Sequence, residues 1–301
     1  MEEKIIITNL FPAFIVETCD SHVSTAMPSK IRFISGILAL TLLLASREVY
    51  LHAHGKTVIH FFDVGQGDSA LIVSPSGKQI LIDGGPDFSA LEGLGTAMPF
   101  LDRTIDLLVL SHPQTDHLLS FPEVLRRYTV GAVLMTGVAY DLPRYEKFIA
   151  LLKEQNIPVI IADPANDIDF GDGLTLDIAW PPPVLFGKKL KEVNNSSIVL
   201  RVLSGKHSAL FTGDMETSEE NEMLRSGANL RADIIKVPHH GSKTSSSTGL
   251  LLAVRPQLAV ILVGKDNTYG HPDKGIVDRY TRFGIPVRTT MGEGEIVFTW
   301  K

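Results

Sequence analysis

The sequence predicts an α/β fold, a four-layer αββα sandwich in which two β-sheets pack face to face with helices outside. Three observations carry this expectation. Apolar strand patterns alternate with helical spacing from Thr57 onward, a hairpin opens each half of that region, and polar clusters recur directly after apolar strands.

The elements follow in order. Residues 58–62 read as a strand, and 70–74 and 79–82 as a hairpin around Pro75-Ser76-Gly77-Lys78, which has turn chemistry. Helical spacing covers 90–98, and 105–110 is an apolar strand. A helix at 118–128, a strand at 132–135, a helix at 144–155 and a strand at 158–161 come next. The strand at 174–179 is stopped by Pro181-Pro182-Pro183. The second half repeats this grammar, with paired strands at 197–203 and 208–211 around Ser204-Gly205 and a helix at 217–225. A strand at 232–237, a helix at 244–254, a strand at 258–263, a helix at 273–283 and strands at 286–288 and 295–299 complete it.

Composition bounds what such a chain does. Its 301 residues are 44% hydrophobic and 21% charged, so it is globular with a sizeable core. A net charge of -6 argues against wholesale non-specific nucleic-acid binding, which needs a basic face. A local basic patch at Lys188, Lys189 and Lys191 remains compatible with it, although a solvated loop is the simpler reading of those lysines. Cys19 is the single cysteine, which excludes an internal disulfide and a zinc site made of thiolates alone.

The N-terminal region reads separately. The apolar run 33–46, preceded by Lys30 and Arg32, suits an uncleaved membrane anchor that leaves the catalytic domain outside the cytoplasm. Arg47, His52, His54 and Lys56 follow the run and weaken the charge asymmetry. An exported soluble chain is the alternative, and an ordinary buried helix is the plain structural reading. Residues 1–32 form an N-terminal segment in which Met27-Pro28-Ser29-Lys30 resembles a conventional export-signal start, placing translation initiation at Met27. Residues 47–56 read as a linker and 57–301 as one catalytic domain.

The chemistry concentrates after strands. Ser111-His112-Pro113-Gln114-Thr115-Asp116-His117 follows an apolar strand and carries imidazoles and a carboxylate, the donors that divalent transition metals take. Asp63-Val64-Gly65-Gln66-Gly67-Asp68-Ser69, Asp83-Gly84-Gly85, Asn194-Asn195-Ser196-Ser197, Thr212-Gly213-Asp214, His239-His240-Gly241-Ser242 and Tyr269-Gly270-His271-Pro272 sit at similar strand or helix ends. Each alone is explained by a turn or a cap. Together they mark one edge of the sandwich as a site.

These motifs, with Leu81-Ile82 before Asp83 and Lys236-Val237-Pro238 before His239, resemble the metallo-β-lactamase-fold hydrolase domain of the ComEC-type competence proteins over about residues 57–301. The many membrane helices of those channels are missing, so the channel function does not carry over. The resemblance implies a metal-dependent hydrolase, foremost a phosphodiesterase or nuclease that uses a metal-bound hydroxide on DNA or related phosphodiesters. A hydrolase of small esters, lactones or phosphoesters is the alternative, and a non-catalytic binding module with a partly degraded metal site is a third reading. One or two divalent ions, Zn or Mn, are implied as cofactors. Nucleic acid or another phosphodiester is the implied partner, with the membrane engaged through 33–46, and no protein partner follows.

The resemblance places Asp116, His117, Asp214 and one of His239 and His240 around one ion, with His112 and Asp214 at a second. The sequence does not separate His239 from His240. His239, first after the strand and its proline, is taken as the ligand, and His240 is left to substrate. Asn195 and His271 would touch substrate, His271 as a proton donor to the leaving group, although Asn195 is equally suited to cap the following strand. Asp63, Asp68, Asp83 and Ser242 would brace the ligands, although Asp83 is equally suited to start the turn at Gly84-Gly85. Lys236, Ser242 and Lys243 stand where they could attract a phosphate, although lysines flanking a loop are usually just solvated. Two departures stand out. Gln114 occupies a place where the resemblance expects an acidic residue or a histidine, so its neutral amide would make the position beside His112 weak or favour Mn over Zn. Leu119-Ser120 replaces the expected small residues after Asp116-His117.

Overall fold

A computed structural model describes residues 29–53 and 55–301. The expected start at Met27 and the reading of residues 1–26 lie outside the described residues. A helix, Ser29–Ala53, takes in the apolar run and continues through much of the stretch read as a linker. No helix among the described residues is long and apolar enough to cross a membrane.

The remainder, Val49–Lys301, is one compact unit. Its strands are β1 (Thr57–Phe61), β2 (Ala70–Val73), β3 (Gln79–Ile82), β4 (Thr104–Val109), β5 (Thr129–Met135) and β6 (Val159–Ile161), then β7 (Ile168–Asp169), β8 (Leu174–Trp180), β9 (Val199–Ser204), β10 (His207–Phe211), β11 (Ile234–Lys236), β12 (Leu258–Ile261), β13 (Val287–Thr289) and β14 (Ile296–Trp300). They form two seven-stranded sheets, ordered β14-β1-β2-β3-β4-β5-β6 and β13-β12-β11-β10-β9-β8-β7. In the first sheet the pairs from β14 to β3 are antiparallel and those from β3 to β6 parallel. The second repeats the order, antiparallel from β7 to β10 and parallel from β10 to β13.

Strands buried on both faces must be apolar on both faces, which is why β4 and β5 read as near-continuous hydrophobic runs. One face of each sheet meets the other sheet, where Ile59, Phe61, Ile72 and Val109 pack with Leu176, Leu200, Phe211 and Val260. Phe61 stacks on Phe211 across this layer at 5.4 Å and 17°. The outer face of the first sheet buries Leu81 and Leu108 with Leu94, Phe121 and Phe148 from helices. The outer face of the second buries Leu210 and Ile235 with Met223, Leu251 and Tyr280. The four-layer sandwich expected from the sequence is the result.

Two helices depart from the expected pattern. The one expected at 118–128 is divided into Thr115–Leu118 and Phe121–Arg127. The one expected at 244–254 begins only at Thr248, because the Glu220 carboxylate accepts hydrogen bonds from Ser246 N at 2.6 Å and Ser247 N at 2.8 Å and holds those residues in a loop.

Candidate metal centre

The site is assembled from loops that leave the carboxyl ends of β4, β10, β11 and β12, the end of parallel strands at which α/β folds place their ligands. β4 belongs to one sheet and the other three to its partner, so the site straddles the sandwich. Gly213 permits the approach: at φ +49, a Cβ there would lie 2.9 Å from the Ser197 side chain and 3.1 Å from Ser111 Cβ. A larger residue would push Asp214 away from the His112 loop.

Four side chains converge. Asp214 Oδ2 lies 3.3 Å from His117 Nε2 and 3.2 Å from His240 Nε2. Asp116 Oδ2 lies 3.8 Å from His117 Nε2 and 3.4 Å from His240 Nε2. The donor atoms of Asp116, His117, Asp214 and His240 all fall within 4.8 Å of one another. His112 adjoins them, its ring centroid 4.2 Å from that of His117.

The opposite edge of each imidazole is held. His117 Nδ1 donates to Asp83 Oδ2 at 2.8 Å, and His240 Nδ1 donates to the Leu262 carbonyl at 2.9 Å. His112 Nδ1 contacts Ser111 Oγ at 3.1 Å and Ser197 Oγ at 3.4 Å. These contacts turn each Nε2 inward. Among the described residues, His112 Nε2, His117 Nε2, His240 Nε2 and Asp214 Oδ2 are buried without a hydrogen-bond partner. Buried polar atoms are normally paired. Three of these atoms, on His117, His240 and Asp214, are turned to one place, and with the imidazoles braced from behind they fit a divalent ion and the tautomer control that metal-binding histidines show.

The backbone is strained at the same place. Asp83, His239 and His240 have φ of 57°, 50° and 51°, in the left-handed region that non-glycine residues rarely occupy. The turn at His239-His240 swings the second ring beneath the site and leaves the first at its rim.

Charge follows from crowding. Burial disfavours the Asp214 carboxylate, but His240, His117 and Lys236 outweigh it and hold its pKa well below the ordinary value. Burial likewise opposes protonation of His117, yet Asp214, Asp83 and Asp116 lift its pKa well above 6.5. His240 is raised in the same sense by Asp214 and Asp116 against burial. His112 is pushed down to about 3 by burial and by the neighbouring His117. His271 is lowered by burial and by His239 and His240.

The expected site residues separate into two groups. Asp116, His117, Asp214 and His112 come together, with Asp68 and Asp83 behind them. Asp68 Oδ1 lies 3.3 Å from His240 Nδ1, and the Asp83 carboxylate, besides holding His117, accepts from Ser111 N at 2.8 Å. His239 lies outside the donor cluster, its Nε2 3.9 Å from Asp214 Oδ2 and its Nδ1 facing Glu216 at 3.5 Å, while His240 lies within it. Asp63 is exposed and accepts from Gly65 N at 3.4 Å, a turn contact rather than a brace. Ser242 Oγ meets Thr244 Oγ1 at 3.0 Å, and Ser242 N donates to the His239 carbonyl at 2.7 Å. Asn195 Oδ1 is buried without a partner among the described residues, so it does not cap the strand. Gln114 precedes the short Thr115–Leu118 helix, with its side chain close enough to His112 to bias that ring's protonation.

His271 lies outside the donor cluster, its ring 5.8 Å from that of His239. Its backbone is clamped by Asn267, whose Oδ1 accepts from His271 N at 3.0 Å and whose Nδ2 donates to His271 O at 2.8 Å. Tyr269, 73% exposed, stacks on His271 at 5.9 Å and 15°. Sequence reasoning missed Ser197, which accepts from Asp214 N at 2.9 Å, and also Asn267 and Tyr269. Ser197 and Tyr269 lie in motifs marked above and Asn267 in none of them, and only the fold shows that they face the site. Lys236 is 1% exposed and does not face solvent phosphate.

The family profile described as "Metallo-beta-lactamase superfamily" matches residues 62–265. The chain is 28% identical over 261 residues to ComE operon protein 3 of Bacillus subtilis (strain 168), covering 81% of this chain and 33% of that protein. It is 30% identical over 248 residues to competence protein ComA of Neisseria gonorrhoeae, covering 81% and 32%. The chain thus spans about a third of the length of these curated relatives. Among solved structures, the metallo-beta-lactamase fold protein YhfI from Bacillus subtilis superposes with a TM-score of 0.55 at 13% identity, covering 81% of this chain and 99% of that one, a likeness of fold alone.

Proposed function

The chain belongs to the metallo-beta-lactamase superfamily and is a metal-dependent hydrolase, and from that premise we propose that it cleaves phosphodiesters, DNA foremost, with Asp116, His117, Asp214 and His240 holding the principal ion. The observation that carries the ligand assignment is the convergence of His117 Nε2, His240 Nε2 and Asp214 Oδ2, buried and unpaired among the described residues. A divalent ion held there, Zn or Mn, would supply a more acidic water and Lewis acidity toward a phosphoryl oxygen.

The chain's own groups do the rest. Asp116, at the exposed side of the cluster, faces incoming substrate. His271, whose lowered pKa keeps it neutral near pH 7, donates an N–H hydrogen bond to a phosphoryl oxygen. His239 stands between His271 and Asp214 at the rim. Tyr269 offers an exposed ring face beside His271 on which a base of single-stranded DNA can stack. The relatives' names, ComE operon protein 3 and competence protein ComA, agree with the competence-protein resemblance from which DNA is proposed as the substrate class.

The test is turnover of single-stranded DNA and of bis(p-nitrophenyl) phosphate by the full chain loaded with Mn²⁺ or Zn²⁺, beside Asp116→Ala. The expected result is metal-dependent cleavage of both, lost in the variant. Hydrolysis of a lactone or simple ester with neither phosphodiester attacked would overturn the proposal, and so would no turnover by the fully metallated chain.

A further inference from the structure

Behind the outer donor cluster lies an inner one. Asp68, Asp83 and His117 are all buried, and their donor atoms fall within 4.8 Å of one another. Within it His117 Nδ1 donates to Asp83 Oδ2 at 2.8 Å, which leaves Asp68 as the carboxylate that takes a cation. The chain supplies that cation from within. Lys236, the last residue of β11, is fully buried, and its ammonium has three N–H donors and three acceptors. It is paired with the Asp68 carboxylate, donates to the Gly213 carbonyl at 2.9 Å and lies 3.5 Å from Asp214 Oδ1. The void beside it, lined by Asp68, Asp83, Ser111 and Lys236 among others, measures about 10 Å³ and holds one water at most.

The position is informative because Lys236 touches the outer site through two carboxylates. Asp214 presents Oδ2 to His117 and His240 and Oδ1 to Lys236. Asp68 stands behind both ligand rings, 3.3 Å from His240 Nδ1 and 3.9 Å from His117 Nδ1. A carboxylate behind a ligand histidine raises its basicity, and a cation on that carboxylate draws the effect back. A buried carboxylate without a partner is costly, so the same cation keeps the metal-free chain folded.

We infer that Lys236 is a permanent internal counter-ion, whose ammonium pairs with Asp68 and stands beside Asp214, stabilises the metal-free fold and holds down the metal affinity of the outer site. The inference rests on the reading that Asp116, His117, Asp214 and His240 form the metal site. A merely structural lysine would lose metal affinity along with stability when replaced. A counter-ion moves the two in opposite directions.

The experiment is competition of the full chain with a chromophoric chelator for Zn²⁺ or Mn²⁺ alone, with thermal melting of metal-free and metal-loaded protein. Lys236→Met removes the charge at similar volume, and Lys236→Gln keeps a donor toward the Gly213 carbonyl. If a metal-free variant does not fold, folding induced by the ion and followed by circular dichroism reports the same affinity. Both neutral variants are expected to melt lower without metal and to bind the ion at least tenfold more tightly, whereas Lys236→Arg stays near wild type. Equal or weaker binding in both neutral variants overturns the inference. A wild type that binds no ion while Lys236→Met does would remove the proposed phosphodiesterase reading and leave the counter-ion standing. No binding by either overturns both.

Discussion

Asp83 Oδ2 accepts a hydrogen bond from His117 Nδ1 at 2.8 Å, and this contact decides which nitrogen of His117 faces Asp214. Burial raises the pKa of Asp83 against the opposing pull of His117, so the carboxylate is held in a demanding position. Asparagine tolerates the left-handed backbone found there, at φ 57°. Asp83→Asn is therefore expected to keep the fold and weaken metal binding by about tenfold to a hundredfold. Chelator competition measures it, and unchanged affinity would show that Asp83 only shapes the turn.

The adjacent histidines divide the work. His240→Ala removes a donor turned into the cluster, and elemental analysis is expected to show loss of the principal ion. His239→Ala leaves that donor set intact, so metal content stays within about threefold while phosphodiester turnover falls by about tenfold or more, the scale of a lost proton-transfer or hydrogen-bonding group. The reverse pattern of metal loss would return the ligand role to His239.

Metal affinity is expected to fall as pH falls. In the metal-free chain burial opposes protonation of His117 and His240, but Asp214 and its neighbours outweigh it and raise both pKa values well above 6.5. An ion at Nε2 must displace those protons, at about a tenfold loss of affinity per pH unit for each. Stability of the metal-free chain runs the other way. These raised pKa values contribute stability that is fully present below the unfolded value near 6.5 and is lost as pH rises through the folded values. His112, depressed to about 3, acts only below 6.5, where it costs stability as pH falls. Melting from pH 6.5 to 9 should therefore show the metal-free form weakening. A metal-free form that strengthens across this range contradicts the charge assignment.

Gln114 offers a neutral amide beside His112, so the position between His112 and Asp214 gains no charge beyond that of Asp214 from this loop position. Gln114→Asp is expected to raise metal content toward a second equivalent. Elemental analysis decides it, and unchanged stoichiometry counts against an incomplete second position.

The layers of the sandwich and the strand ends carrying His112, Asp116, His117 and Asp214 are legible in the sequence because apolar runs end there in polar residues. The choice of His240 over His239 is not legible. It is set by left-handed backbone at both residues and by the Leu262 carbonyl, which comes from another strand's end. Lys236 was misread for a related reason. In Ile234-Ile235-Lys236 a terminal lysine reads as solvated, and only the long-range carboxylates Asp68 and Asp214 explain its burial. The loop at Ser246 and Ser247 is likewise imposed by Glu220, some distance away in sequence. Local pattern carries the elements, while distant partners decide which member of a motif turns inward.

The straddling of the two sheets has a mechanical consequence. His112, Asp116 and His117 follow a strand of the first sheet, whereas Asp214 and His240 follow strands of the second, roughly a hundred residues later. An ion gripped by both groups closes a long loop, as a cross-link would, and such closures restrict the unfolded chain most when the loop is long. With Cys19 as its single cysteine, the chain has no covalent clasp between its halves. On the proposed function the reaction centre would also be the clasp, and stripping the ion should loosen the seam between the sheets before it disturbs the strands within either one.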